Sequence, residues 1–369
     1  MTTASYPRLS VAVERIGSPE VAAVRWRALQ ETVDHSFFQS WHWIGCLLAT
    51  TARPAHLLSV IEGGETRAVA VLFAAEEGGA PVGPGARLAV NRTGDPAYDC
   101  IYPEYSGLLC APGGARQILV QVLDHLRLEG CDRVELGGVD PWTIEAADDS
   151  GWLIRELDRK GYYHVDLEAL RRDGRDYAAT LSRNTRQQIR RSIRGLEERH
   201  GPLRLLPAAS QEQALEFFGR MANLHQAQWR DRGQPGAFSV PFFRAFHETL
   251  IATSFPDGVI DLVAVMAGQI ELGFLYGFRY RGHVYYYQSG FAASRHARER
   301  PGMVSHFQNI QRHLAAGERV YDFLAGDQRY KASLATRSGE LVWLELRRRS
   351  GKYRLTNALR NVKAWATDR

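Results

Sequence analysis

Lysine is almost missing from this chain. Four of its 46 basic residues are Lys (Lys160, Lys331, Lys352 and Lys363) and 42 are Arg. A sequence so biased toward guanidinium keeps a lysine where a compact ammonium is wanted and a planar fork does not serve. Lys352 and Lys363 read as chance surface residues, whereas Lys331, beside a Gly-Asp turn, reads as functional. Cysteine is scarce too. Cys46, Cys100, Cys110 and Cys131 show no C-x-x-C spacing, which argues against a zinc site. No uninterrupted apolar run reaches the length of a bilayer span. The opening Met-Thr-Thr-Ala-Ser-Tyr-Pro-Arg lacks the apolar core of a signal peptide. These absences predict a cytoplasmic chain with free thiols, no metal and no integral membrane segment.

What is present suits two domains: 369 residues, 45% hydrophobic and 24% charged. The net charge of +5 is mildly basic. It suits an anionic ligand such as a coenzyme phosphate and does not by itself indicate nucleic acid. Ten arginines crowd 171–204, from Arg171 to Arg204. That segment reads as a connector between a domain over 1–170 and another over 205–350, with a basic helix over 351–369. Most of its arginines read as a solvated face, a minority as contacts to phosphates or an acidic acceptor.

Apolar spacing and turn residues give an element order. The first half reads as a strand from Leu9, helices Pro19–Gln30 and Ser40–Ala49, a hairpin over His56–Ala75 and a strand at Arg87–Asn91. Pro112-Gly113 then opens a helix to Leu128. A strand at Arg133–Leu136, a short helix near Gly151–Lys160 and a strand at Tyr162–Leu167 follow. Phe37, Phe38, Trp41 and Trp43 read as core. The loop Thr93–Ser106, with Tyr102 and Tyr105, reads equally as an acceptor-binding loop or a surface cover. From Leu203 the order repeats. Pro301-Gly302, Gly317, Arg319–Asp322 and Gly326-Asp327 line up with Pro112-Gly113, Gly130, Arg133–Leu136 and Gly138-Val-Asp140. A strand, two helices, three antiparallel strands, helix, strand, helix and strand, used twice, is an internal repeat. His225 and Trp229 lie on the apolar stripe of the long helix after Ser210, which leaves core and site roles both open.

The run Val320-Tyr-Asp-Phe-Leu-Ala-Gly-Asp-Gln-Arg-Tyr-Lys331 is a buried strand that ends in a polar turn, the place where α/β folds put ligand groups. It resembles the C-terminal signature of the acyltransferase family named after the cellulose-biosynthesis protein CelD. That family belongs to the GNAT superfamily and is related to the Fem aminoacyl transferases. His225, Trp229, Phe238, Gly290 after Tyr285-Tyr-Tyr287, and Pro301-Gly302 match too. The resemblance spans about residues 175 to 335. The repeated element order is that of the GNAT core, so the expected fold is mixed α/β with tandem GNAT-like domains.

The resemblance implies an N-acyltransferase using acyl-CoA, without a metal. The coenzyme would lie at the start of the Pro301 helix, where unpaired N–H groups favour an anion. Arg298, Arg300, Gly302 and the backbone of Gln288, Ser289 and Gly290 are the candidates to hold it. The phosphate pattern Gln/Arg-x-x-Gly-x-Gly/Ala is only partly kept, with Glu299 first and Val304 last. Lys331 would stabilise an oxyanion or phosphate, Asp322 or Asp327 would orient or deprotonate the amine, and Tyr330 would protonate a leaving thiolate. Turn capping is the plainer reading of Asp327. His225, Trp229, Tyr102 and Tyr105 are the candidates for acceptor binding, the acceptor being a small-molecule, glycan or peptide amine. Two alternatives stand beside this: an aminoacyl transferase using charged tRNA, as Fem-like proteins do, and a catalytically silent component of envelope-polysaccharide synthesis. The donor site is expected in the second half, with the first half shaping the acceptor pocket.

Overall fold

The computed structural model describes residues 9–74, 83–111, 113–293 and 299–349. Arg298, Pro112 and the expected helix over 351–369 lie outside them. The first half runs β1 (Ser10–Arg15), α1 (Pro19–Gln30), α2 (Trp41–Thr50), β2 (Ala55–Glu62), β3 (Glu65–Ala74), β4 (Arg87–Val90), β5 (Leu109–Cys110), α3 (Ala115–Leu128), β6 (Arg133–Val139), α4 (Trp142–Asp149) and β7 (Leu153–Asp166). Three helices follow, α5 (Leu167–Arg172), α6 (Tyr177–Thr180) and α7 (Arg183–His200). The second half runs β8 (Leu203–Pro207), α8 (Gln211–Asp231), α9 (Pro241–Ser254), β9 (Ile260–Ala267), β10 (Ile270–Tyr280), β11 (His283–Phe291), α10 (Pro301–Ala315), β12 (Val320–Ala325), α11 (Arg329–Leu334) and β13 (Arg337–Arg347).

Local chemistry sets these bounds. Pro19 opens α1 at a position where a missing N–H costs nothing. The hydroxyls of Ser182 and Ser210 accept from Thr185 and Gln213 N–H and cap α7 and α8. On α7, Ile189, Ser192 and Leu196 turn inward and the arginines face out.

The strands form one sheet in the order β1-β2-β3-β4-β6-β13-β7-β12-β11-β10-β9-β8, with β5 on β3. Two pairs are parallel, β4 with β6 and β11 with β12; the other pairings are antiparallel. Read outward from the centre, the two ends mirror each other, so the fold is a mixed α/β sheet of two GNAT-like units. Their junction is an exchange of last strands. β7 of the first half pairs with β12 of the second, and β13 of the second pairs with β6 of the first. β7 and β13 also pair with each other, from Arg337↔His164 to Arg347↔Leu153.

The exchange accounts for one difference from the sequence reading. Residues 153–160, expected within a helix, are strand. Their charged side chains suit an exposed helix. Instead β13 supplies the ladder, Arg159 pairs with Glu340 at 2.8 Å, and Lys160 lies over the Trp343 ring. Tertiary pairing overrides a weak local preference.

Helices α1, α2, α8 and α9 cover one face and bury an apolar layer drawn from both halves. Phe37 stacks on Phe278 at 4.1 Å between ring centroids, and Trp43 meets Phe246 at 4.8 Å. The aromatic cluster read as core is therefore the seam between the units. On the other face, α3 and α4 cover the first unit and α5 to α7 with α10 cover the second.

Candidate active site at the splayed strands of the second half

β11 and β12 are paired from His283↔Val320 to Tyr285↔Asp322 and then part. Splaying leaves backbone groups without a ladder partner, and those groups need another. Along β11, side chains take that place. The Ser289 carbonyl accepts from His225 Nδ1 (3.1 Å), the Phe291 carbonyl accepts from Gln228 Nε2 (2.8 Å), and Ser289 N–H donates to Gln288 Oε1 (3.0 Å). Helix α8 comes this close because of Gly290, where a Cβ would stand 2.3 Å from the Met221 carbonyl oxygen. A carbonyl only accepts, so Nδ1 of His225 carries the proton and Nε2 is a free lone pair. Nε2 is buried and has no partner among the described residues, and burial lowers the imidazole pKa. Trp229 and Phe238 pack against this ring.

At the tip of β12 the ladder to β7 slips, and Leu324 takes φ +61°. The left-handed region costs a branched residue on the order of 1 kcal/mol, so the surroundings must hold it. Leu324 N–H donates to Asp322 Oδ1 (2.7 Å). Lys331 Nζ donates to the carbonyls of Leu324 (3.2 Å) and Ala325 (2.6 Å). Ala325 N–H donates to Glu104 Oε2 (2.7 Å), a carboxylate from the first half. Glu104 reaches this point because its loop lies on Gly138 of β6. A Cβ there would stand 3.0 Å from the Glu104 Cα, and φ is +57°. Burial, with the Asp322 charge adding to it, pushes the Glu104 carboxyl up to about 7 against the pull of Ala325 N–H and Lys331. Burial also lowers the Lys331 pKa, opposed by the charges of Glu104 and Asp322.

The other oxygen of Asp322 accepts from the Tyr105 hydroxyl at 2.8 Å and lies 3.6 Å from His283 Nε2. Asp322, His283, His164 and Tyr162 line a cavity of about 380 Å³ whose further walls, Ser36 and Tyr105, come from the first half. On the opposite side of β12, the Tyr330 phenol bonds to Tyr286, whose hydroxyl lies 2.7 Å from Ser289 Oγ. Tyr330 stacks on His306 at 5.2 Å, and burial holds its pKa well above the ordinary tyrosine value.

Helix α10 starts beside this splay, and its N-cap residue, Arg300, makes no side-chain cap among the described residues. Gly302 packs on Phe291, with 3.2 Å left for a Cβ. Arg300 is exposed and donates to Gln188 of α7 at 2.7 Å, and Glu299 pairs with Arg199. Among the residues singled out from sequence, the structure gathers Gln288, Ser289, Gly290, Tyr330, Lys331, Asp322, Tyr105, His225 and Gly302 around β11 and β12. Asp327 is exposed on the turn, Trp229 lies behind His225, and Tyr102 is 65% exposed. Glu104, His283, His164 and Tyr286 were not singled out. Glu104 stands between the two tyrosines that were, in Tyr102-Pro-Glu-Tyr105, and a carboxylate inside an aromatic turn was the available signal.

Residues 183–332 match the family model of the acetyltransferase (GNAT) domain. No curated protein matches the sequence. Among solved structures, FemX is similar with a TM-score of 0.58 at 12% identity, over 90% of this chain and 96% of that one. The C-terminal domain of a putative lysylphosphatidylglycerol synthetase from Agrobacterium fabrum gives 0.52 at 12% identity, over 93% and 95%. L-PGS from Bacillus licheniformis gives 0.53 at 12% identity, over 94% and 97%. At such identity these likenesses speak for fold, and the fold they share with this chain is the GNAT-type acyltransferase fold.

Proposed function

We propose that the chain is an N-acyltransferase that moves an acyl group from a coenzyme A thioester to an amine. The observation that carries this is the splay of β11 from β12 beside an uncapped helix start, inside the stretch that matches the GNAT domain. The residues present fit such a donor. The first N–H groups of α10 at Gly302 are open to an anion, Arg300 is exposed beside them, and the backbone of Gln288 to Gly290 lies along the splay. Arg298, outside the described residues, belongs to the same proposed phosphate contact. The coenzyme, when bound, supplies an activated carbonyl and a thiolate leaving group.

The chain's own residues then divide the work. Tyr330, kept protonated by burial, gives its proton to the departing sulfur. Asp322, lining the cavity with His283, takes a proton from the amine as its nitrogen bonds to the acyl carbon and the C–S bond breaks. Lys331 fixes the tip of β12 and brings positive charge to the carbonyl side. Asp327 serves as a turn residue. His225 and Gln228 hold the splayed edge, and His225, Trp229, Tyr102 and Tyr105 border the acceptor's approach. The test is thiol release from acetyl-CoA and longer acyl-CoAs over a panel of primary amines. Release that depends on an amine and falls in Tyr330→Phe supports the reading, and no release with any pair sinks it.

One observation favours a second reading, aminoacyl transfer from charged tRNA. Arg183, Arg190, Arg191 and Arg194 stand exposed on α7, next to the start of α10, and pair with no described carboxylate. Such a stripe suits a polyanion, and binding of that kind weakens steeply with salt. Salt-sensitive binding of tRNA with no binding of coenzyme A would select this reading.

A further inference from the structure

The first half has a splay of its own, between β4 and β6, and a cleft opens there. Its volume is about 200 Å³, and Leu108, Cys110, Leu119, Leu136, Val139 and Trp142 line it. Leu108, Leu119 and Leu136 also wall a small, apolar-lined gap of about 10 Å³ beside it, between α3 and the sheet. The cleft therefore leads from the exposed Asp140 into hydrocarbon. So narrow a space suits a slender apolar chain, and burying each methylene there contributes favourably to binding.

The charge on and beside the cleft disfavours a coenzyme. In the second half the start of α10 is flanked by arginines. In the first half the one carboxylate among the described residues of the cleft lining is Asp140, and the cation at the start of α3, Arg116, lies outside that lining and is held by both Glu145 (2.8 Å) and Asp149 (2.8 Å). A phosphate would meet net negative charge, and a cationic or amine-bearing ligand would be attracted. The cleft also has a neighbour. Ser36 and Tyr105 line both it and the Asp322 cavity.

We propose that this cleft binds the hydrocarbon or aromatic tail of an amine acceptor, with the amine directed past Tyr105 into the Asp322 cavity. The direction of the amine rests on the N-acyltransferase reading, and the tail site does not. Recognition is thus split between the halves. The first holds the apolar part of the acceptor by burial, and the second presents Asp322 and His283 to its nitrogen.

Cys110 supplies the probe. It lines the cleft and is partly exposed, whereas Cys46, Cys100 and Cys131 are buried. The full chain is treated with a methanethiosulfonate reagent, and modification of Cys110 is followed by mass spectrometry with dodecylamine, dodecanoate or coenzyme A present. Dodecylamine is expected to slow modification about tenfold or more, dodecanoate less, and coenzyme A not at all. Calorimetric titration with dodecylamine should show at least a tenfold loss of affinity in Leu136→Trp, which fills the cleft. Ala115→Phe, at a half-buried position on the rim, should show the same loss if the core variant does not fold. Unchanged Cys110 modification, or wild-type dodecylamine affinity in the folded variants, would overturn the proposal. Equal protection by dodecanoate would overturn its amine part. No acyl transfer is measured, so an inactive protein that still binds dodecylamine would count against the enzymatic reading alone.

Discussion

At the end of β12 the chain places a buried ammonium, a phenol and, from the facing loop, a carboxylate. At the corresponding end of β6 stand Pro141, Trp142 and Thr143. Both strands are the parallel partners of a splayed pair, and both are followed by a short helix. The backbone solution is the same while the chemistry differs. In the second half the gap is bordered by polar side chains and by a helix start rich in arginine. In the first it is a hydrocarbon cleft with a single carboxylate, Asp140, among the described residues of its lining. A duplicated scaffold can keep its geometry in both copies and let side chains assign reaction to one and recognition to the other.

Substitutions in the second copy should hurt far more than their counterparts in the first. The largest effect is expected for Lys331→Met. It leaves the Leu324 and Ala325 carbonyls without their buried donor, which costs about 1–3 kcal/mol of stability. It also removes a preorganised charge, for which a loss of roughly a hundredfold or more in turnover is typical. Lys331→Arg should not rescue, since the side chain is buried on two carbonyls with no room for a fork. Turnover and melting temperature check this together, and a stable, fully active Lys331→Met would make the two splays equivalent.

Next in size is Tyr330→Phe. Removing one general acid should lower kcat about a hundredfold with little change in melting temperature, while Trp142→Phe at the matching place in the first half, on the lining of the cleft, should act on KM for a tailed amine and not on kcat. Equal effects from the two would erase the contrast. A smaller loss, about tenfold in coenzyme A affinity by titration, is expected for Gly302→Val, because an added side chain must displace Phe291. Gly114→Val, at the start of α3, should not change that affinity.

The smallest effect concerns Glu104. Its carboxyl rises from an ordinary value of 4.5 to about 7 on folding. The folded state then binds this proton more tightly than the unfolded one. Stability from this group is complete below about 4.5 and is lost as pH rises toward about 7. Glu104→Gln should flatten that part of the curve, and melting temperatures at pH 5 and pH 7.5 should differ less in the variant by a few degrees. A variant whose pH dependence equals that of the wild type would show that Glu104 is not the titrating group.

Most of the element order was legible because it rests on local signals; the helix expected near Gly151–Lys160 was not, since the helix there is Trp142–Asp149 and residues 153–160 are strand. Pro19, Ser182, Ser210, Gly130 and Gly317 mark ends, and the spacing of three and four in α8 marks a buried face. The Val320–Lys331 stretch was legible as a strand opening into a turn. The destination of β7 was not. A strand's sequence shows which side chains turn inward and leaves open which backbone it pairs with. Leu324 gave no warning of a left-handed backbone, since Asp322 and Lys331 within its own stretch and Glu104, on the neighbouring Ala325, from the first half hold it together. Glu104 was legible only as one acid in a loop, because its burial is created by the other half of the chain.

The exchanged strands make the chain resemble a swapped dimer whose two members have been joined end to end. A cut within 171–204 would give one fragment whose last strand is β7 and another whose last strand is β13, and each fragment would carry the strand that completes the other. Either fragment made alone would bare the edge of β6 or β12 and a free strand of matching register, which is a recipe for pairing with a second copy of itself. Mixed, the two fragments should recognise each other through those strands. The covalent link therefore raises the effective concentration of each half for the other, and the concentration at which severed halves reassemble would measure how much that tether contributes.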